Sequence, residues 1–322
     1  MSDSPKLERG AWWGWGAGQD VAPLSAEVHG LLSERFGGLL TAPPSAVQPS
    51  QVHLPEARPV PGGMVSDLDA LLDRSSSERL RHSVGMSYPD LIRLRSGELD
   101  HAPDAVAFPR SIEQVESLVT ECARLDVALV PFGGGTSVVG GVRPERGRHE
   151  AVVTMDLAGL RDVEVDTRSG IARMGPGLRG PDAEYELSRR GFTLGHFPQS
   201  FERASIGGFA ATRSAGQASS GYGRFDDLVT SIEMASPTGT LRTIDTPHSA
   251  AGPSLRELVV GSEGALGVIT SVGCKVKPAP DTERYEGWMA EDFAAGCEAV
   301  RHLAQSDSLP DVIRVSDRQE TE

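Results

Sequence analysis

The chain has 322 residues, 39% of them apolar and 24% charged, with a formal net charge of −14 at neutral pH. That length suggests about two domains around a real buried core, and the acidic balance argues against a nucleic-acid partner, which needs a basic face to displace counterions. Cys122, Cys274 and Cys297 are odd in number and in no C-x-x-C spacing, so neither a disulfide framework nor a zinc site is indicated. In chain order, the head Trp12-Trp13-Gly14-Trp15-Gly16 comes first, followed by a predicted amphipathic helix over residues 25–36. Three tryptophans in four positions read as a packing anchor that docks a terminal arm, in preference to a ligand-stacking role. Residues 41–63 carry Pro43, Pro44, Pro49, Pro55, Pro59 and Pro61 and read as an extended linker or wrapping arm.

From Pro103 the texture changes to alternating units: a strand over 105–108, a helix over 111–125 and a strand over 128–130. Ser111 can cap that helix, and Ile112, Val115, Leu118, Val119 and Cys122 recur at helical spacing. Strands follow over 151–155, 161–165 and 170–174, then a helix over 181–190 with Pro181 in its first turn and Gly191 closing it. Later strands fit 229–235, 240–244 and 268–276. Alternation without a fixed period reads as α+β with mixed sheets and no internal repeat. The N-terminus lacks the apolar core of a signal peptide and no run reaches the length of a membrane span. The default reading is a cytoplasmic protein, with peripheral membrane contact and a homodimer left open.

The stretch Val130-Pro131-Phe132-Gly133-Gly134-Gly135-Thr136-Ser137 places three glycines between an apolar strand and two hydroxyls. Bare amides in such a loop can wrap a pyrophosphate, and the absence of a following Lys separates it from the loop that grips nucleoside triphosphates. Gly175-Pro176-Gly177-Leu178-Arg179-Gly180 matches G-x-G-x-x-G, but Arg173 interrupts its strand and the motif lies mid-chain. It reads as a tight strand-to-helix turn in preference to a dinucleotide site. The segment 205–216 is dominated by small residues and hydroxyls and can lie flat against a planar ligand, with Arg213 either available to a phosphate or paired with Asp226 or Asp227. His196 reads as structural, since no Asp or Ser stands at catalytic spacing from it. Gly261, Gly264 and Gly267 form a third close-approach loop before a strand. Three Gly-rich stretches meeting strand ends are expected to converge on one extended cofactor.

Together, residues 131–137, 205–216, Tyr222-Gly223 with Asp227-Leu228-Val229, and 261–269 resemble the flavin-binding domain of the p-cresol methylhydroxylase and vanillyl-alcohol oxidase superfamily. Within it, Trp13-Gly14-Trp15-Gly16, Gly195-His196-Phe197-Pro198-Gln199-Ser200 and Ala211-Thr212-Arg213-Ser214 are most similar to the alkyldihydroxyacetonephosphate synthases. The likeness runs from about Trp12 to the C-terminus, with the Pro-rich arm poorly matched. It implies a PCMH-type FAD-binding domain of two α/β subdomains over 101–280, preceded by an N-terminal helical arm over 1–100 and followed by the start of a truncated cap domain over 281–322.

The flavin contacts the resemblance implies are Pro131, Phe132, Gly133, Gly134, Gly135, Thr136 and Ser137 at the pyrophosphate, then Gln199, Ser200, Phe201, Glu202, Arg203, Ala204, Ser205, Thr212, Arg213, Ser214 and Ala215 along the flavin. A third set is Glu263, Gly264, Ala265, Leu266, Gly267, Val268 and Ile269. Gln199 stands where an Asp is usual, Arg203-Ala204 replaces a more apolar pair, and Ala265 replaces a Thr. Relatives that bond flavin covalently use a His or Cys near these loops, whereas the glycine loop here offers Thr136 and Ser137, which implies noncovalent FAD and no metal. The implied activity replaces the acyl group of acyl-dihydroxyacetone phosphate with a fatty alcohol in ether-lipid synthesis, a lipid-phosphate substrate. The alternatives are an FAD-linked oxidoreductase of a small 2-hydroxy acid such as D-lactate or glycolate, or a noncatalytic flavin-binding remnant. Asp311-Val312-Ile313-Arg314-Val315 looks like the opening of the cap, and the family's catalytic tyrosine and histidines are expected beyond Glu322. The expectation is flavin binding without turnover.

Overall fold

A computed structural model describes residues 12–15, 24–37, 46–61, 66–246, 249–306 and 308–321. Gly16 of the tryptophan head and residues 41–45, 62 and 63 of the Pro-rich arm lie outside the described residues. Helix α1 (Ala26–Phe36) matches the predicted helix, is capped by Ser25 and buries none of its side chains. Helices α2 (Ser66–Asp69), α3 (Ser76–Arg81) and α4 (Tyr88–Ser96) follow, with the short strand β1 (Leu72–Asp73) before α3. Ser75 and Ser87 cap α3 and α4 by accepting from the Glu78 and Asp90 amides.

Strands β1, β2 (Ala105–Ala107), β3 (Val127–Phe132) and β4 (Ala151–Asp156) form a sheet in the order β1-β2-β4-β3. β4 runs parallel to both β2 and β3, which requires a crossover, and helix α5 (Ile112–Arg124) supplies it. Every residue of β4 is buried, as befits a central parallel strand. Ser111 caps α5, whose Val115, Leu118, Val119 and Cys122 pack under the sheet with Val153 and Met155. β3 runs two residues past the predicted Val130, taking Pro131 and Phe132 into register with Met155 and Asp156.

The second sheet is built from β5 (Val163–Asp166), β6 (Ile171–Met174), β8 (Val229–Ser236), β9 (Gly239–Arg242) and β10 (Val268–Lys275), in the order β5-β6-β10-β8-β9. All its pairings are antiparallel, so the expectation of mixed sheets holds for the first sheet and is corrected for the second. β7 (Phe192–Thr193) pairs separately with β11 (Lys277–Pro278). Helices α6 (Gly180–Ser188) and α7 (Ile206–Thr212) lie against the second sheet, and Phe209, Phe225, Leu187 and Ile232 fill the core between them. Of the short helices α8 (Ser219–Tyr222), α9 (Phe225–Leu228) and α10 (Leu255–Val259), α9 packs against α7 and α10 against β8.

Val52 and Leu54 of the Pro-rich arm pack with Trp12, Trp13 and Leu91 on a small core of Leu80, Val84, Leu94 and Leu99. The arm therefore wraps the body, and the tryptophan head is a packing anchor, with the Arg95 guanidinium 4.3 Å from the Trp13 ring centroid. Helix α11 (Phe293–Gln305) is capped by Asp292 and has no buried residue, and α12 (Arg318–Thr321) ends the described chain.

Candidate functional site

The glycine loop leaves the carboxyl end of β3, the position at which open α/β sheets bind ligands. It borders a cavity of about 340 Å³ whose walls come from four parts of the chain. Residues 131–137 form one wall, and Leu157 and Pro176 form a second. Gly207, Gly208 and Phe209 of α7 with Thr212 and Ser214 form the third, and Glu263, Gly264, Gly267 and Ile269 the fourth. The three Gly-rich stretches thus meet at one place.

Two of the loop's glycines are demanded by the fold, one by a close backbone approach and one by its own dihedral angle. A methyl at Gly134 would lie 2.0 Å from the Arg203 carbonyl oxygen, and Gly135 has φ of +67°. Among the described residues, the N–H groups of 133 through 138 find no protein acceptor, while the Ser137 hydroxyl takes the Val139 and Gly141 amides. A row of free amides on a concave wall is a ready site for an anion. No Lys, Arg, His or Cys stands among the lining residues, and Glu263 is the sole charged one. The donor set therefore fits a pyrophosphate held by amides and hydroxyls, and the chamber beyond, with Phe132, Leu157, Phe209 and Ile269 among its lining, suits a planar ring system.

Beneath the loop, the Phe132 ring lies 4.5 Å from that of buried His82. His82 Nε2 is 3.1 Å from Asp156 Oδ2 and its Nδ1 2.7 Å from the Glu78 carbonyl oxygen, which ties α3 to the end of β4. Outside the lining, burial raises the Glu184 carboxyl above its ordinary range while hydrogen bonds from Thr193, Gly195 and Leu194 pull the other way. Those bonds fix the turn at Gly195, whose φ is +69°, and deliver His196 into the core. His196 Nε2 lies 3.0 Å from Ser214 Oγ, and burial pushes the imidazole down to about 4, so it is neutral at physiological pH.

Of the expected contacts, Ser200, Ala204, Ser205, Thr212 and Ser214 line the cavity together with all of 131–137 and with Glu263, Gly264, Gly267 and Ile269. Gln199, Phe201, Glu202, Arg203, Ala215, Ala265, Leu266 and Val268 do not. Phe201 packs on Gly180, Val268 is core, and Arg203 turns outward to donate to the carbonyls of Gly14 and Trp15. Arg213 does not line it either. Its guanidinium reaches Asp226 Oδ2 at 3.0 Å, Glu257 Oε2 at 3.1 Å and the Val260 carbonyl, so of the two readings the sequence offered the ion pair with Asp226 is the one present in the structure. The residue sits at φ +48° as the C-cap of α7, and its side chain clasps α9 and α10.

Pro176, Gly207 and Gly208 line the cavity without having been named as contacts. Pro176 belongs to the G-x-G-x-x-G turn, whose Gly175 and Gly177 are packed against the carbonyls of Leu160 and Leu157. The turn reading of that motif therefore holds, with its proline on the cavity wall. The signal for Gly207-Gly208 was available, because paired glycines entering a helix run against propensity.

Residues 103–245 match the family described as FAD binding domain. The chain carries an FAD-binding domain of this family. FAD is its cofactor. Alkyldihydroxyacetonephosphate synthase of Dictyostelium discoideum is 37% identical over 245 residues, 76% of this chain and 40% of that protein. A solved alkyldihydroxyacetonephosphate synthase structure superposes with a TM-score of 0.85 at 32% identity, covering 98% of this chain and 63% of that one. The mitochondrial D-lactate dehydrogenase [cytochrome] of Arabidopsis thaliana is 35% identical over 185 residues, 55% of this chain and 31% of that protein. The chain thus spans about 40% of the length of the curated synthase and 63% of the solved one. Among the described residues, no helix is long and apolar enough to cross a membrane.

Proposed function

We propose that this chain is the flavin-binding part of an enzyme of the alkyldihydroxyacetonephosphate synthase type, with residues 101–280 as its FAD unit. The observation that carries the reading is the extent of the likeness. The Dictyostelium synthase aligns with 76% of this chain, whereas the lactate dehydrogenase relative aligns with 55%. The reaction exchanges the acyl group of acyl-dihydroxyacetone phosphate for a fatty alcohol, releasing one fatty acid per ether bond formed. When bound, FAD supplies the electrophilic ring system for that exchange. The chain's own residues hold it, with the amides of 133–138 taking the pyrophosphate and the apolar chamber excluding water from the ring.

We further propose that FAD is held noncovalently, since the lining offers no His or Cys for attachment. Acid precipitation of the flavin-loaded chain should leave all the flavin in the supernatant; flavin retained in the pellet would overturn that part. For the reaction, the flavin-loaded chain is incubated with acyl-dihydroxyacetone phosphate and labelled fatty alcohol, and separately with D-lactate and a dye acceptor. Neither turnover is expected of this part by itself; labelled ether lipid with equimolar fatty acid and no acceptor requirement would support the synthase reading and overturn the expectation of flavin binding without turnover. Lactate-dependent dye reduction without ether formation would move the function to the 2-hydroxy-acid oxidoreductases.

A further inference from the structure

His196 is 99% buried, held edge-on against Phe209 with centroids 4.8 Å apart and against Phe225 at 5.1 Å. Its Nδ1 is buried without a hydrogen-bond partner, and Nε2 has Ser214 Oγ at 3.0 Å. For a neutral imidazole this decides the tautomer. A proton on Nδ1 would be a buried donor with nothing to accept it, whereas a proton on Nε2 is taken by the serine oxygen. Ser214 Oγ then acts as acceptor toward His196, so its own proton has to go elsewhere. Among the described residues Oγ has no other partner, and Ser214 is part of the cavity wall.

We propose that His196 is a positioning residue that turns Ser214 into a one-way hydrogen-bond donor aimed into the cavity, where the hydroxyl meets an acceptor atom of bound FAD. The inference rests on the FAD site and not on the identity of the substrate. The surrounding geometry fits this assignment. The Glu184-anchored turn at Gly195 sets where His196 enters, and the Arg213 clasp fixes the loop that carries Ser214. Ser214 is pinned further by its amide on the Phe209 carbonyl and its carbonyl under the Phe225 amide. Its backbone cannot drift, and the imidazole settles which way its hydroxyl points.

The test is a double-mutant cycle on FAD affinity, read by equilibrium dialysis of the full chain. Ser214→Ala should weaken FAD about fivefold, the usual worth of one hydrogen bond. His196→Phe, which keeps the ring packing, should weaken it by no more than that, and the double variant should be no weaker than Ser214→Ala alone. His196→Gln, whose side-chain amide can reach the same oxygen, should restore most of the affinity. The imidazole ¹⁵N spectrum of the wild-type chain gives a readout that needs no variant, and it should show Nε2 protonated and Nδ1 bare at neutral pH. Losses that multiply in the double variant, an unchanged Ser214→Ala affinity, or the opposite tautomer would each overturn the assignment. Wild-type protein that binds no FAD would instead strike at the flavin reading itself.

Discussion

At Gly134 a single absent methyl group decides whether the loop can close. The Cβ position lies 2.0 Å from the Arg203 carbonyl oxygen and 2.8 Å from the Ala204 Cα, both backbone atoms that cannot swing aside. Gly134→Leu should cost about 1–3 kcal/mol of stability and strip the protein of bound flavin, measured as the absorbance ratio of purified protein. Full flavin content in that variant would show that the loop does not hold the cofactor. His196 sets a different residue-scale effect, on acid stability. Its folded-state value of about 4 lies below the ordinary 6.5, so the unfolded chain takes up the proton first as pH falls. The contribution is intact above pH 6.5 and about 3 kcal/mol is lost by pH 4. The stability of wild type relative to His196→Phe, followed by denaturant titration, should therefore fall by about 3 kcal/mol as pH drops through that window. Parallel curves would refute the neutral buried imidazole.

At the scale of elements, the head, the segment after Ser200 and the glycine loop form one mechanical chain. Arg203 donates to the Gly14 carbonyl at 2.9 Å and the Trp15 carbonyl at 2.7 Å, and its guanidinium lies 5.8 Å from the Trp15 ring centroid. Its own carbonyl faces Gly134. Burial lowers the Arg203 pKa from its ordinary value, with Arg179 adding a smaller push, yet a guanidinium stays charged at any physiological pH. Arg203→Met keeps much of the packing and removes the donors. It should cost about 1.5–3 kcal/mol, shift tryptophan emission to the red and weaken FAD severalfold. Unchanged emission would mean that the head is held by Trp12 and Trp13 alone.

For the whole molecule, a dianionic pyrophosphate must approach a protein of net charge −14 through a wall with no cationic side chain. Oriented amides do the work that a Lys or Arg does in other phosphate sites, and long-range repulsion works against association. Added salt screens that repulsion and removes no ion pair at the site. FAD affinity should therefore hold steady or rise between about 0.05 and 0.3 M salt. A marked fall would point to a cationic contact at the pyrophosphate.

The elements legible in the chain were those whose cause is local. Ser111 announces α5, whose apolar spacing is unmistakable, and three adjacent glycines after a β-branched strand announce a bare-backbone loop. Such loops recurring at strand ends indicated one extended cofactor, and its being a flavin came from the resemblance of those loops to a known family. Helix α7 was hidden because its Ile-Gly-Gly-Phe start defies helical propensity, and burial of Ile206, Phe209 and Ala210 outweighs that cost. Arg213 could be read two ways until folding brought Asp226 and Glu257 to it from 13 and 44 residues along the chain. Likewise, nothing near His196 in sequence names Ser214, 18 residues on, as its partner. Propensity and turn chemistry act over a few residues and were written in the sequence. Hydrogen-bond partners and cavity walls depend on which distant segments pack together, so only the tertiary structure could choose them.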